Sequence, residues 1–219
     1  MSSSPRSRRR ARHDPSVRRS VLLLTLALTI LASAKLAGIG TASASGPAAP
    51  TCGLERWSVK TLQDPAGRAL NLSSYKTTTV SALRSRPVRR GPGGSRGAGV
   101  ESTVSQVRAR LVEAKVEDDS DIHLVIRDLT STGTMIVEFP LATCAGGATA
   151  GAKTRMKNAR NAFVAACGMP SDTSFEQLTG KATIRGIGFF DFLHGQTGVA
   201  PNGIELHPVV RFTNASCSS

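Results

Sequence analysis

Three short runs between residues 107 and 139 alternate apolar and polar side chains with a period of two. Val107, Ala109 and Leu111 alternate in a run that reaches about Glu117, where Asp118, Asp119 and Ser120 turn the chain. Ile122, Leu124 and Ile126 alternate in the second run, and residues 130–133 turn the chain again. Met135, Val137 and Phe139 alternate in the third, which Pro140 ends. Period two belongs to a strand with one face in a core, so the runs predict three antiparallel strands joined by tight turns.

Beyond Pro140 the period changes. Residues 152–167 read as a helix with Met156, Ala159 and Phe163 on one face, stopped by Gly168 and Pro170. Ala182, Ile184 and Gly186 begin a fourth strand that reaches Phe190, and residues 204–212 form a fifth. Three strands, a helix and two strands is the element order of an OB-fold, a small Greek-key barrel. The expected fold class is therefore mainly β (α+β). It is an OB-fold-like five-stranded barrel over residues 101–213, with one helix between strands three and four and a C-terminal tail at 214–219. Gly186 and Gly188 suit the bend that such a barrel needs.

The start of the chain reads as an export leader. Residues 1–19 hold seven arginines against Asp14, and the apolar run 21–34 is broken at Lys35. That run is short for a bilayer span of roughly 20 residues and fits a signal-peptide core. Ala42, Ser43 and Ala44 are the small residues of a cleavage site, which places the cut after Ala44. The rival is an uncleaved anchor over 21–40. Arg18 and Arg19 resemble a twin-arginine signal, with the Sec route still open. The leader holds 8 of the 28 basic residues and 1 of the 15 acidic, leaving 20 against 14, or +6. After cleavage the chain is mildly basic, has no transmembrane segment and, at about 175 residues, is long enough to bury one core.

Residues 45–100 precede the barrel as a linker, an N-terminal strand and an Arg/Gly-rich loop. Residues 55–63 read as the strand, with Trp57, Val59 and Thr61 on one face; residues 64–67 turn the chain, and 79–83 suit a short helical turn. Arg84, Arg86, Arg89, Arg90 and Arg96 then stand among glycines and prolines with almost nothing apolar. That composition reads as a mobile, solvated loop that could contact phosphates. Cys52, Cys144, Cys167 and Cys217 are the disulfide candidates, an even number in an exported chain. The preferred pairing is Cys52–Cys144, which would pin the N-terminal arm, with Cys167 and Cys217 paired or free.

The stretches Cys52 to Thr61 (CGLERWSVKT), Glu117 to Leu124 (EDDSDIHL), Met135 to Pro140 and Gly186 to Pro208 together resemble a family of uncharacterised exported bacterial proteins with this OB-fold-like pattern. The resemblance spans most of 52–212. It implies export and a single domain, and brings no catalytic residues.

Polar side chains on the far side of the strand alternation give the candidate site. His123 faces opposite Ile122 and Leu124, Glu138 opposite Val137 and Phe139, and Glu205 and His207 opposite Ile204 and Leu206. Strands two, three and five are neighbours in an OB barrel, so these four share one face. Arg127 could join them, and Asp191, His194, Gln196 and Asn202 lie on or beside the loop entering the fifth strand. Imidazoles and carboxylates that converge this way could hold a divalent metal, with His123, His194 and His207 as ligands, or form hydrogen-bonded structural pairs. No cofactor motif is present. The acidic run Glu117, Asp118, Asp119 and Asp121 lacks the EF-hand pattern and reads as a solvated turn. No phosphate loop, dinucleotide fingerprint or nucleophile elbow occurs. One Trp and one Tyr are few rings for a base-stacking platform. The expected function is a non-enzymatic extracytoplasmic binding module whose ligand is a glycan, an envelope component, a protein or a nucleic acid. The alternative is a metal-dependent hydrolase, perhaps a nuclease, with Asp191 or Glu205 as base.

Overall fold

The computed structural model describes residues 50–91 and 94–218. The expected leader, its cleavage site after Ala44 and the first linker residues lie outside the described residues.

Five long strands close a barrel. β2 (Val104–Val116), β3 (Ile122–Arg127), β4 (Thr134–Phe139), β6 (Thr179–Phe190) and β7 (Ile204–Ser218) follow the order β2-β3-β4-β7-β6, and β6 pairs back onto β2. Only the β4–β7 pairing is parallel among these five; the others are antiparallel. This is the OB-fold-like barrel expected from the element order, with α4 (Ala150–Cys167) between the third and fourth barrel strands. Two-residue strands β1 (Lys76–Thr77) and β5 (Glu176–Gln177) both pair with β2.

The inward set of each alternating run forms the core: Val107, Ala109, Leu124, Ile126, Met135, Val137, Ile184 and Leu206 are all fully buried. Each large member contributes about 1.5–3 kcal/mol by leaving water. α4 closes one end of the barrel. Thr149 caps it by accepting a hydrogen bond from the Ala152 N–H, and Gly168 ends it with φ 85°. Its Phe163 ring packs against Phe139 at 5.1 Å and Phe212 at 5.6 Å between centroids. The expected C-terminal tail is a continuation of β7: Gly180 pairs with Cys217 and Thr179 with Ser218. The Cys167–Cys217 disulfide ties that end to α4, and Cys52–Cys144 bridges the arm to the turn after β4.

Two expectations for residues 45–100 need correction. The stretch read as a strand is helical: α1 spans Trp57–Lys60 and α2 spans Pro65–Arg68. The alternation of Trp57, Val59 and Thr61 loses to tertiary contacts, because a turn of helix points Val59 and Leu62 into apolar surroundings while Trp57 and Lys60 face the barrel. α3 (Val80–Arg84) falls where a helical turn was expected, capped by Thr79. The Arg-rich loop is anchored rather than free. Arg84 donates to the Thr134 carbonyl, Arg90 to the Phe190 and Asp191 carbonyls, and Arg96 to Asp64 and to the Glu101 and Val59 carbonyls. Among the described residues, no helix is long and apolar enough to cross a membrane.

Candidate functional site

Both faces of β3 are buried: Ile122 to Ile126 are all inaccessible, not only the alternate residues that face the barrel interior. The outer face is therefore covered as well, and the cover is the arm on one side and the 191–203 loop on the other. Gly198, with φ 76°, lets that loop lie on Val125; a Cβ there would come within 2.4 Å of a Val125 methyl.

Under this cover lies a chain of ionisable side chains. Cross-strand pairing places His123 opposite Glu138, and the parallel β4–β7 register, with Ile136 beside Glu205 and Val137 beside Leu206, brings Glu138 next to His207. Glu138 is the hub. Its Oε1 is 3.3 Å from His123 Nδ1 and its Oε2 is 2.7 Å from His207 Nδ1. His207 Nδ1 also meets Glu205 Oε1 at 3.3 Å, and His207 Nε2 is 3.2 Å from Asp121 Oδ2. His123 Nδ1 reaches Glu117 at 3.4 Å, and its Nε2 lies 3.0 Å from the Thr197 carbonyl. Lys60, sent in by α1, lies 3.2 Å from Asp191 Oδ2 and 3.8 Å from Glu205 Oε1. The rings of Trp57 and Phe189 meet His207 edge-on, each at 6.1 Å.

Apart from Glu117 at its rim, the cluster is sealed. His207 is 0% exposed, Asp121 1%, His123 2% and Glu205 2%. Burial opposes charge on every member, and the neighbours decide which charges survive. For His207, burial lowers the pKa, but the Glu138 charge with contacts from Asp121 and Glu205 overrides it and holds the imidazole well above its usual range. His123 is raised in the same way by Glu138 and Glu117 against its burial. Burial raises Glu205 to about 7, with repulsion from Glu138 adding to it and Lys60 opposing it. Glu138, though buried, is held well below the usual carboxylate range by His207, His123 and Lys60. Lys60 keeps its charge despite burial, because Glu205, Glu138 and Asp191 surround it.

Compared with known proteins, the chain matches no family model, no curated protein and no solved structure.

An OB barrel commonly binds its ligand on the outer face of strands two and three, between the loops after strands one and four. Here that face carries His123 and Glu138, the first loop supplies Glu117 and Asp121, and the second supplies Asp191 and Thr197. Phe175 and the 191–203 loop cover it at His123 and Val125, and the chain's own arm lies beside it on His207 and Glu205. Cys52–Cys144 fixes the arm covalently, Trp57 Nε1–H donates to the Cys144 carbonyl at 3.0 Å, and Arg56 forms a two-pronged pair with the fully buried Glu101 at 2.9 and 2.8 Å. Arg56 adopts φ 45° at the head of α1, a conformation uncommon for a residue with a Cβ.

Of the residues singled out from sequence, His123, Glu138, Glu205 and His207 come together, and Asp191 joins them through Lys60. His194 is exposed on its loop, so the three-histidine ligand set is not assembled; its backbone N–H donates to Gln196. Gln196 also donates to the Phe192 carbonyl, and Asn202 donates to the Leu83 and Arg86 carbonyls, so both serve loop geometry. Arg127 is exposed at the end of β3. Sequence reasoning missed Asp121, which it placed in a solvated turn but which is buried, and also Lys60. Asp121 directly precedes β3, which was the one available signal.

A metal has one opening here. Donor atoms of Asp121, Glu138 and His207 lie within 4.8 Å of one another. Asp121 Oδ2 and His207 Nε2 are close but not aligned as a hydrogen bond, so each is a buried polar atom without a directed partner. Their 3.2 Å separation suits two ligands of a tetrahedral ion with bonds of about 2.0–2.2 Å. Glu138, however, contacts Nδ1, on the other side of the same ring. One ion can engage only one of the two nitrogens, so the triad offers a two-ligand edge. Zinc takes three protein donors in catalytic sites and four in structural ones.

Proposed function

We propose that the chain is an exported, extracytoplasmic binding module without catalytic activity, and that its histidine–carboxylate cluster is a structural clamp for the arm. The observation that carries this reading is the sealing of the cluster: no cluster histidine faces solvent, and three of the four imidazole nitrogens already face carboxylates. A hydrolytic centre needs an open coordination position or a base within reach of substrate. Two disulfides support an oxidising compartment, and the arginine-rich, apolar start of the sequence supports export by a cleaved leader.

The second reading, a metal-dependent hydrolase, is favoured by the undirected pair Asp121 Oδ2 and His207 Nε2 alone. One experiment separates the two. The chain is expressed with its leader, recovered from outside the cytoplasm, sequenced from its N-terminus and analysed for metal. The binding-module reading expects a start near Ser45, well under one zinc per chain, and no hydrolysis of phosphodiester or glycan polymers with added zinc, magnesium or manganese. Stoichiometric metal together with hydrolysis abolished by His207→Ala would replace it. Retention in the membrane with residues 21–40 intact would remove the secreted part of the proposal.

A further inference from the structure

The Arg-rich segment divides into two groups. Arg84, Arg90 and Arg96 turn inward to backbone carbonyls and Asp64. Arg86 and Arg89 turn outward and are exposed. With exposed Lys76 they line neighbouring clefts that share walls. A cleft of about 230 Å³ runs over β1 and the start of β2, lined by Lys76, Thr77, Thr78, Arg86 and Ser105 among others. It shares Arg86, Gly99 and Val100 with a second cleft of about 210 Å³ that Arg89 borders. At its other end it shares Lys76 and Thr103 with a third, of about 230 Å³, bordered by Tyr75. Through these shared residues the three clefts adjoin in one grooved surface.

Charge decides what fits it. No carboxylate lines any of the three clefts. Among the described residues, none of Lys76, Arg86 and Arg89 has an ion-pair partner, whereas Asp64 is taken by Arg96 and Glu101 by Arg56. Three cations without an ion-pair partner, around clefts that no carboxylate lines, are complementary to a linear polyanion. Hydroxyls of Thr77, Thr78, Thr103 and Ser105 line the first cleft; Thr77 accepts from Gln106 and keeps its proton to donate, and Thr103 donates to the Gly99 carbonyl and can still accept. Rings are scarce: Tyr75 is the one aromatic residue lining the groove, and Arg185 already covers its face, 3.5 Å from the ring centroid. A polymer whose affinity comes from stacked bases has no platform here. A chain of alternating phosphate and polyol finds both partners it needs, cations for phosphate and hydroxyls for the polyol.

We infer that this groove binds a polyol-phosphate chain, a phosphodiester polymer without rings. The inference rests on the binding-module reading and names its ligand class. The groove lies away from the histidine–carboxylate cluster, with which it shares no lining residue.

The test uses the mature chain, residues 45–219, and three labelled probes of similar charge and length: a glycerol-phosphate oligomer, an oligothymidylate and a polyglutamate. Binding is followed by fluorescence anisotropy from about 20 to 300 mM salt. The glycerol-phosphate oligomer should bind, with log Kd rising against log salt with a slope of about 2, as for roughly three neutralised phosphates. Arg86→Glu/Arg89→Glu should weaken it at least tenfold and Lys76→Ala about threefold. Arg127→Glu, an exposed arginine at the far end of β3, should change it less than twofold. All variants carry surface changes, and thermal midpoints within about 2 °C of the parent confirm that they fold. Tighter binding of oligothymidylate than of glycerol phosphate would overturn the choice of polymer. Equal binding of polyglutamate would overturn the phosphodiester class. Unchanged binding in Arg86→Glu/Arg89→Glu would overturn the groove while leaving the binding-module reading in place. Metal-dependent cleavage of the bound oligomer would instead remove that reading and leave the groove.

Discussion

Replacing Glu138 by glutamine removes one buried charge and almost no volume, so it isolates the electrostatic part of the clamp. Glu138 touches both buried imidazoles, at 3.3 Å to His123 and 2.7 Å to His207. Removing one partner of a buried ion pair costs about 3–5 kcal/mol, because the other charge stays desolvated. Glutamine can still accept a hydrogen bond, so the lower end applies, about 3 kcal/mol. For a domain of this size that is a fall of roughly 6–12 °C in melting temperature. The loss also has a pH signature. In the parent, the raised histidines contribute stability that is fully present below their unfolded value near 6.5 and is lost as pH rises through their higher folded values. Glu205, held at about 7, likewise favours the fold below its unfolded value near 4.5 and loses that contribution as pH rises through 7. Without the Glu138 charge all three shifts shrink. The parent should therefore lose stability from about pH 5 towards pH 9, and Glu138→Gln should have a flatter curve. The gap between them should be widest near pH 5–6 and narrow above. Urea unfolding followed by circular dichroism across that range measures it. A gap under about 1 kcal/mol, or one that widens with pH, would refute the clamp.

Three further outcomes follow from packing and covalent ties. Cys52→Ser/Cys144→Ser opens a loop of 92 residues and should cost about 4–5 kcal/mol on the chain-entropy estimate, with Trp57 emission shifting red as the arm loosens; an unchanged spectrum would show that the arm needs no covalent tie. Arg56→Ala strands the buried Glu101 carboxylate and should cost about 3–5 kcal/mol in chemical denaturation, while Arg56→Lys should recover less than half, since an ammonium cannot form the two-pronged contact. Phe163→Ala empties the aromatic plug at the barrel end and should cost about 3–5 kcal/mol, with α4 amides losing protection from hydrogen exchange.

The barrel and half of the cluster were legible in the sequence for one physical reason. Strand alternation fixes which side chains share a face, and barrel order fixes which strands are neighbours. His123, Glu138, Glu205 and His207 follow from those two facts. What covers them does not follow. α1 is four residues long, too short to be stable by propensity, and exists because Trp57, Val59 and Lys60 each have a distant partner. Asp121 sits beside turn residues with the composition of a solvated loop, and it is held in the interior by partners distant in sequence, His207 and the Leu141 N–H. The arginine run misled in the same way: composition cannot distinguish Arg90, whose acceptors are carbonyls a hundred residues away, from Arg89, whose side chain has none among the described residues.

The charge balance of the clamp gives a last expectation for the arm itself. Asp121, Glu138, Asp191 and Glu205 are four buried carboxylates, and the groups packed against them are Lys60, His123 and His207, with Glu117 adding a fifth acid and Arg160 a cation at the rim. The set under the closed arm is neutral when both imidazoles carry protons and one carboxyl, Glu205, holds one. The carboxylates that raise the imidazoles belong to the barrel, so the coupling of closure to protons falls on Glu205, which burial raises to about 7, and the arm should be tightest in mild acid. Hydrogen exchange at the amides of 57–62, compared at pH 5.5 and pH 8.5 after correction for intrinsic rates, should show protection falling at the higher pH, while the core amides of β3 and β4 fall much less. Equal changes in arm and core would mean that the clamp titrates only with global unfolding. Protection of the arm that rises with pH would mean that the attraction of Lys60 for ionised Glu205 outweighs the burial of that carboxyl, and the assignment of a proton to Glu205 would be wrong.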